Sequence, residues 1–189
     1  MQTSETVRAV LKETARLHER FSAEDAALIE KAGALMAEAV GSGHKLIWFG
    51  NGGSATQSQH MAAEFVGRFQ RERKGLASIS LTENMASVTA IGNDYGYARI
   101  FARQMEALGQ VGDVAIGLST SGNSENVVLG LQAAKEKGMG TIGMTGEGGG
   151  KIAALCDLCI CIPSKVTARI QEVHLTVGHL LCELVEASL

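Results

Sequence analysis

One stretch near the middle of the chain organises the rest of it: Gly117-Leu118-Ser119-Thr120-Ser121-Gly122-Asn123-Ser124. The apolar run before it, residues 113–118, predicts a buried parallel strand. The run after it, residues 125–137, has helical spacing and ends at a glycine, which predicts a helix. The stretch is therefore predicted to be a turn that leads from a strand into the N-terminus of a helix.

This turn carries four hydroxyl side chains within six residues, on Ser119, Thr120, Ser121 and Ser124. Together with the free N–H groups and the positive dipole end of the following helix, they suit a phosphate group. The alternative is a helix N-cap, for which one hydroxyl is enough. No lysine follows at Walker A spacing, so a nucleoside triphosphate is not the ligand that the turn favours.

Composition sets the broad class of protein. A length of 189 residues suits one domain, 1–189, with N-terminal helices at 1–43 and an α/β core at 44–189. An apolar content of 46% argues against disorder, and a net charge of −3 offers no polycationic surface for nucleic acid. The chain has no apolar run of membrane-spanning length and no signal-peptide core near Met1. We therefore expect a soluble, cytoplasmic protein with neither nucleic acid nor membrane as a partner.

Three of the four cysteines lie close together, at Cys156, Cys159 and Cys161. The C-x-x-C spacing of the first two is compatible with redox chemistry or a metal. However, residues 158–162 have the pattern of a strand, whereas thioredoxin-type pairs open a helix. We expect buried, reduced thiols.

Strand and helix patterns alternate along the chain. Four further strands are predicted, at 45–49, 76–81, 141–145 and 157–162. Two N-terminal helices are predicted, 3–20 and a second that Ser22 caps with Asp25 in a weak capping box; four others follow at 55–69, 84–91, 98–108 and 167–187. Segments 92–96 and 146–150 are predicted loops, and the basic run 68–74 a solvated helix end.

Alternating strands and helices predict a three-layer αβα sandwich with a five-stranded parallel sheet. The loops after the strands, 50–54, 92–94 and 119–124, are expected to share one crevice at the carboxyl edge of that sheet. The N-terminal helices either cover a sheet face or form a subunit interface, and the sequence leaves both open.

The turn Gly50-Asn51-Gly52-Gly53-Ser54 allows two interpretations. With Ala55 it fits the dinucleotide fingerprint G-x-G-x-x-A, and Glu83 is the candidate ribose-binding acid, although it lies beyond the usual spacing. Alternatively, Asn51 and Ser54 offer hydrogen-bonding groups suited to sugar hydroxyls, and the glycines permit the turn.

Two helices carry candidate catalytic or metal-binding groups. His60 and Glu64 are four residues apart and share a helix face, so they suit one metal, an acid–base pair or an ordinary surface pair. On the last helix, Gln171, His174 and His179 interrupt an apolar face. Helix geometry separates Gln171 from His179 by about 12 Å along the axis.

These motifs together resemble the phosphoheptose isomerase family, a branch of the sugar isomerase (SIS) domain superfamily. The resemblance covers the chain from Lys45 to its end. It lies in Gly50–Ser54, His60-x-x-x-Glu64, Gly92-Asn93-Asp94, Ser119–Ser124 and Arg169-Ile170-Gln171-Glu172-x-His174…His179.

The resemblance implies an aldose–ketose isomerase that acts through an enediol. Its substrate would be sedoheptulose 7-phosphate and its product D-glycero-D-manno-heptose 7-phosphate. This would be the first step toward activated heptose for lipopolysaccharide core or other surface glycans. The implied assembly is a bacterial cytoplasmic homotetramer with active sites between subunits.

The resemblance also implies a role for individual residues. Ser119, Thr120, Ser121 and Ser124 would hold the phosphate group, while Asn51, Gly52, Gly53, Asn93, Asp94 and Gln171 would contact the rest of the substrate. One zinc ion per subunit would be held by His60, Glu64, Gln171 and His179. Glu64 and His179 would be the acid–base pair. Some relatives carry an acidic residue just before Ile170, where this chain has Ala168 and Arg169.

The alternative function is that of a non-catalytic SIS protein, which binds a phosphosugar or a replication-initiator protein. The relative that binds the initiator lacks the histidine–glutamate pair. This chain has both His60 and Glu64, which favours the enzyme.

Overall fold

The structure is a computed structural model that describes residues 2–189, with side chains described at all of these positions except 2 and 22–24. The strands are β1 (Leu46–Gly50), β2 (Ser78–Ser80), β3 (Val114–Ser119), β4 (Gly140–Thr145) and β5 (Leu158–Cys161). The helices are α1 (Gln2–Gly41), α2 (Gly53–Val66), α3 (Met85–Tyr95), α4 (Ile100–Leu108), α5 (Glu125–Glu136), α6 (Gly150–Leu155) and α7 (Thr167–Ser188), with a 3₁₀ turn at Tyr97–Arg99.

The five strands form one parallel sheet in the order β2-β1-β3-β4-β5. Successive side chains of a strand point to opposite faces, so Leu46 and Trp48 join one core and Ile47 and Phe49 the other. The first core lies beneath α1, α2 and α7, and the second beneath α3, α4, α5 and α6. The predicted three-layer αβα architecture is confirmed.

The strand order places a topological switch point between β1 and β3. The chain leaves β1 toward one edge of the sheet, where β2 lies, and leaves β3 toward the other, where β4 lies. The turns after β1 and β3 therefore diverge and leave a crevice between them, where ligands of open α/β sheets bind.

The prediction of two N-terminal helices is wrong, because α1 is one helix of 40 residues. Leu17, Phe21, Ile29 and Ala32 are all buried in the same core at helical spacing on both sides of the predicted break. The chain has neither glycine nor proline before Gly33 to interrupt the helix. Packing of this continuous stripe, mainly against α7, outweighs the local capping signal at Ser22.

The segments 92–96 and 146–150, which were predicted to be loops, are partly helical. Residues 92–95 form the last turn of α3, whose N-cap Asn84 accepts a hydrogen bond from the N–H of Ser87. Gly150 begins the short helix α6, which the sequence analysis missed. Gly148, Gly149 and Gly150 all have positive φ, so glycines bend the chain into that helix rather than leaving a flexible loop.

The basic run 68–74 is not a solvated helix end, because α2 ends at Val66. Arg73 pairs with the buried Glu186 of α7, with 2.9 Å between Nε and Oε1. The same carboxylate accepts hydrogen bonds from the N–H groups of residues 69–71. The run is therefore docked on α7 through one carboxylate.

The cysteines are free thiols, as predicted. The predicted burial is correct for Cys182 but wrong for Cys156, Cys159 and Cys161, which are only half-buried. Burial raises the pKa of Cys156 and of Cys182 to about 12, so both are protonated at neutral pH.

No helix in the described range 2–189 combines the length and apolar character needed to cross a membrane.

Candidate functional site

A polar cavity of about 290 Å³ lies at the switch point between β1 and β3. Its lining comes from the two turns and the start of α7: Asn51, Gly52, Gly53, Ser54, Leu118, Ser119, Thr120, Ser124, Thr167 and Gln171. The glycines are required there, since Gly52 has a φ of 56°. A Cβ on Gly53 would lie 2.6 Å from Nε2 of Gln171, so a larger residue here would displace that amide from its present position.

The hydroxyls after β3 converge on one another. The Oγ atom of Ser119 lies 2.9 Å from Oγ of Ser124 and 3.4 Å from Oγ of Ser121. Ser124 occupies the N-cap position of α5, yet its side chain makes no capping hydrogen bond. The hydroxyl cluster therefore leaves the N-terminus of α5 uncapped. The positive end of the helix dipole and the free hydroxyls together favour an anion as the ligand of this cluster.

The segment after β4 is hydrogen-bonded to the turn at residues 119–124, which we call the hydroxyl turn. The N–H of Gly146 donates to the carbonyl of Thr120 at 3.1 Å, and the N–H of Ile152 donates to the carbonyl of Gly122 at 3.1 Å. The N–H of Lys151 donates to Oδ1 of Asn123. Sequence reasoning missed this role, because a run of glycines gives no local signal of what it contacts.

Asn51 belongs to a hydrogen-bond network that the sequence did not indicate. Its amide pairs reciprocally with that of Asn126 in α5, both bonds being 2.8 Å long, and its Oδ1 also accepts from the hydroxyl of Tyr97 at 2.9 Å. These bonds fix the orientation of the Asn51 amide. Because Oδ1 is already used twice, Asn51 offers a ligand its remaining Nδ2 hydrogen as a donor.

Two predicted substrate residues lie elsewhere. Asn93 and Asp94 are exposed in the last turn of α3, where Nδ2 of Asn93 donates to Oδ1 of Asp94, and the described cavity lining includes neither. Glu83, the candidate ribose-binding acid, lines a separate cavity beside β2. The two halves of the dinucleotide motif therefore do not face one pocket, which weighs against that interpretation.

His60, Glu64 and His179 meet on neighbouring faces of α2 and α7. Nε2 of His60 lies 3.0 Å from Oε1 of Glu64 and 3.4 Å from Nε2 of His179. One ligand atom from each side chain lies within 4.8 Å of the other two. His60 is 44% exposed and Glu64 24% exposed, so the group is open to a ligand.

Packing between the two helices brings these side chains together. Gly178 lies against Met61, and a Cβ on Gly178 would be 2.3 Å from Sδ of Met61, so the glycine allows α2 and α7 to approach closely. The ring of Phe69 stacks on His179 with centroids 5.4 Å apart and limits how that ring can turn. The structure thus brings together three of the four zinc ligands that the resemblance implies, His60, Glu64 and His179.

The geometry of this group fits a zinc ion. Tetrahedral zinc with Zn–N bonds of about 2.0–2.1 Å separates two ligand nitrogens by about 3.3 Å, close to the observed 3.4 Å. Two imidazoles and one carboxylate are a donor set of catalytic zinc sites. Gln171, the fourth implied ligand, lies against Gly53 in the cavity, about two helical turns before His179 on α7.

Comparison with known proteins gives matches over most of the chain. Residues 11–146 match the SIS domain family. The phosphoheptose isomerase of Nitratidesulfovibrio vulgaris is 51% identical over 174 residues, which are 92% of this chain and 84% of that protein.

Two solved structures are similar throughout. The phosphoheptose isomerase GmhA from Neisseria gonorrhoeae has a TM-score of 0.92 at 39% identity, covering 97% of this chain and 98% of that one. The phosphoheptose isomerase from Francisella tularensis has a TM-score of 0.95 at 30% identity, covering 99% and 100%.

Proposed function

The chain belongs to the SIS domain family, and on that premise we propose that it is an aldose–ketose isomerase of sugar phosphates. Its substrate is sedoheptulose 7-phosphate, and its product is D-glycero-D-manno-heptose 7-phosphate. The observation that carries this proposal is a phosphate-type cavity beside a His–Glu–His group on the same two helices. The first suits the phosphate end of the substrate, and the second suits the carbon atoms that react.

The spacing between the two parts supports a seven-carbon sugar. Gly53 lines the cavity and His60 begins the reactive group seven residues later on α2, a rise of about 10 Å. An open-chain heptose 7-phosphate has a similar length, with C1 and C2 at the end remote from the phosphate. Bound along α2, it would reach the hydroxyl turn and the histidines together.

The hydroxyl turn holds the phosphate group. Ser119, Thr120 and Ser124 line the cavity at the N-terminus of α5, and the exposed Ser121 has its Oγ 3.4 Å from that of Ser119. Their hydroxyls and the first N–H groups of the helix donate to phosphate oxygens. Asn51 and Gln171 line the same cavity and are placed to contact the sugar, whereas Asn93 and Asp94 would need a movement of α3 to do so.

Glu64 and His179 carry the proton transfers. Glu64 removes the proton from C1 of the ketose, and the C2 carbonyl oxygen takes up a proton, which gives the enediol. Return of a proton to C2 and loss of the O1 proton then complete the aldose. His179 moves protons between the two oxygens, since an imidazole ring has one nitrogen that can donate a proton and one that can accept it. A carboxylate has two oxygens, so Glu64 can face His60 with Oε1 and the substrate with Oε2.

His60, Glu64 and His179 are the residues that would hold zinc, with Gln171 as the fourth ligand if its side chain turns toward them. The ion would polarise the sugar carbonyl and stabilise negative charge on the enediol oxygens.

We further infer that the enzyme is a cytoplasmic homotetramer with active sites between subunits. A groove of about 530 Å³ between α1 and α7 supports a subunit contact, since it is lined by Phe21, Ile29, Val177, Leu180 and Leu184 among others. Leu180 is 41% exposed in the isolated chain. The heptose phosphate that the enzyme makes would supply activated heptose for lipopolysaccharide core or another surface glycan.

Incubation of the zinc-loaded protein with sedoheptulose 7-phosphate tests the function directly. We expect a new aldose phosphate, detected by chromatography and mass spectrometry after reduction with borodeuteride. Binding of the sugar phosphate without any turnover would reject the isomerase and favour the non-catalytic phosphosugar-binding SIS protein.

A further inference from the structure

His174 is buried in α7 with only one of its ring nitrogens hydrogen-bonded. The residue is 1% exposed, and Nε2 lies 3.1 Å from the carbonyl oxygen of Thr145. Because a carbonyl only accepts, Nε2 carries the ring proton and donates it to Thr145. Nδ1 is then a bare acceptor, and within the described part of the chain it has no hydrogen-bond partner. Burial lowers the pKa of His174 to about 4, although the Thr145 hydrogen bond raises it, so the ring is neutral at physiological pH.

Stability alone does not explain this histidine. A buried nitrogen without a partner destabilises the fold, and an apolar side chain would avoid that loss. The Thr145 carbonyl does not depend on His174 either, since it also accepts a hydrogen bond of 2.9 Å from the N–H of Ile162. His174 is therefore a second partner of that carbonyl, and what it adds is a link from α7 to the peptide after β4.

The peptide unit between Thr145 and Gly146 links His174 to the hydroxyl turn. Its carbonyl accepts from His174, and its N–H, on Gly146, donates to the carbonyl of Thr120 at 3.1 Å. The contact is close: a Cβ on Gly146 would lie 2.4 Å from that Thr120 oxygen. Hydrogen bonds arranged in series polarise and orient one another. The peptide is thus held at its carbonyl by His174 of α7, together with the N–H of Ile162, and at its N–H by the turn.

We propose that His174 is a positioning residue for the phosphate-binding turn. By donating to Thr145 it orients the Thr145–Gly146 peptide, and that peptide sets the position of Thr120 and of the serines beside it. His174 lies between Gln171 and His179 on α7, so the same bond fixes that helix relative to the turn. The inference depends on the proposed function only in assigning phosphate to the turn.

Three substitutions separate this role from simple packing. His174→Gln places an amide nitrogen where Nε2 was and keeps the donor to Thr145, whereas His174→Asn is polar but too short to reach it. His174→Leu fills the space without a donor. Calorimetry measures the affinity for inorganic phosphate, and steady-state kinetics with sedoheptulose 7-phosphate gives KM and kcat. Atomic absorption measures zinc content, and circular dichroism checks that each variant folds.

We expect His174→Asn and His174→Leu to weaken phosphate binding and raise KM about tenfold, the effect of one lost hydrogen bond. Zinc content and kcat should stay within about twofold, and His174→Gln should recover most of the loss. Should His174→Leu not fold, the comparison of the Gln and Asn variants alone decides the question.

Wild-type phosphate affinity in His174→Asn would overturn the inference, as would an equal loss in the Gln and Asn variants. Failure of the wild type to bind phosphate would overturn it too. A wild type that binds phosphate in a His174-dependent way but does not isomerise the sugar would reject the proposed function and leave this inference standing.

Discussion

At the scale of single residues, Glu64 is the group on which the proposed chemistry depends. Glu64→Gln should lower kcat by about 10²–10⁴-fold, because an amide cannot accept the proton from C1. The matched control is Glu72→Gln, which removes a surface carboxylate that is 91% exposed and pairs with Arg68 in a 3.6 Å contact at i,i+4. Steady-state kinetics and zinc content are measured for both variants.

Zinc content separates the two roles of Glu64. Loss of turnover with zinc retained supports the base, whereas parallel loss of both supports a metal ligand only. Near-normal turnover in Glu64→Gln would rule out this mechanism.

The hydroxyls of the turn should differ in their effect on binding. Ser124 lines the cavity, while Ser121 is exposed and accepts a hydrogen bond from the N–H of Asn123. We expect Ser124→Ala to weaken substrate binding by about 1.5–3 kcal/mol, the range for a hydrogen bond to a charged group, and Ser121→Ala to weaken it less. Ser87→Ala, in the separate cavity beside β2, should change nothing. Equal KM values for the wild type and Ser124→Ala would count against a phosphate site here.

At the scale of elements, the close approach of α2 and α7 assembles the His–Glu–His group. Gly178→Ala should destabilise the protein by about 1–3 kcal/mol, because the new Cβ overlaps Sδ of Met61. It should also weaken zinc binding, since the helices must separate where His60 meets His179. Met61→Val in the same chain, which shortens the side chain, should restore part of both losses.

Chemical denaturation and zinc titration with a competing chelator measure these effects. Gly41→Ala is the control, because a Cβ at Gly41 meets no atom within 4 Å. If Gly178→Ala binds zinc as tightly as the wild type, the packing does not determine the metal site.

The docking of segment 67–75 on α7 should depend on pH. Burial raises the pKa of Glu186, but the N–H groups of residues 69–71 and the Arg73 side chain outweigh it and lower the pKa from 4.5 to about 2. A lowered carboxyl pKa stabilises the fold at pH values above 4.5, and that stabilisation is lost as pH falls through about 2.

Glu186→Gln should therefore reduce the free energy of unfolding at pH 7 by about 3 kcal/mol, as when a buried ion pair loses one partner. The difference from the wild type should shrink steadily between pH 4.5 and about 2. Urea denaturation across this range measures it, with the exposed Glu183→Gln on the same helix as the control. A difference that stays constant with pH would show that the carboxylate charge is not responsible.

At the scale of the whole molecule, the distance between the cavity and the histidines predicts substrate length. Sedoheptulose 7-phosphate should be turned over with a kcat/KM at least about 100-fold higher than ribulose 5-phosphate, because a shorter chain cannot reach both parts. Initial rates with the two ketose phosphates measure the ratio. Comparable rates would show that the phosphate and the reacting carbons are not held at this separation.

The groove between α1 and α7 predicts a subunit contact. Leu180→Glu should dissociate the proposed tetramer, since a charge buried in an apolar contact without a partner is strongly unfavourable. Leu108→Glu, at a leucine that is 46% exposed outside the groove, is the control. Sedimentation equilibrium measures the mass of the assembly for each variant. A mass of Leu180→Glu equal to that of the wild type would show that the subunit contact lies elsewhere.

The sequence by itself determined the architecture and the position of the hydroxyl-rich turn at residues 119–124. Strand periodicity, terminal glycines and the hydroxyl-rich stretch after β3 are local properties, because side-chain alternation and helix ends depend on residues a few positions apart. The parallel sheet, the turn at Ser119–Ser124 and the His60–Glu64 pair were predicted from such patterns.

Only the tertiary structure decided what those patterns contact. It joined two predicted helices into α1, because burial of Leu17 and Phe21 along one stripe outweighs a single weak cap. It brought His179 to within 3.4 Å of His60, although 119 residues separate them in the chain. It also placed the glycine run after β4 against the hydroxyl turn, where the N–H of Gly146 donates to the carbonyl of Thr120. Contacts between distant segments depend on how whole helices pack, and local spacing carries no record of that packing.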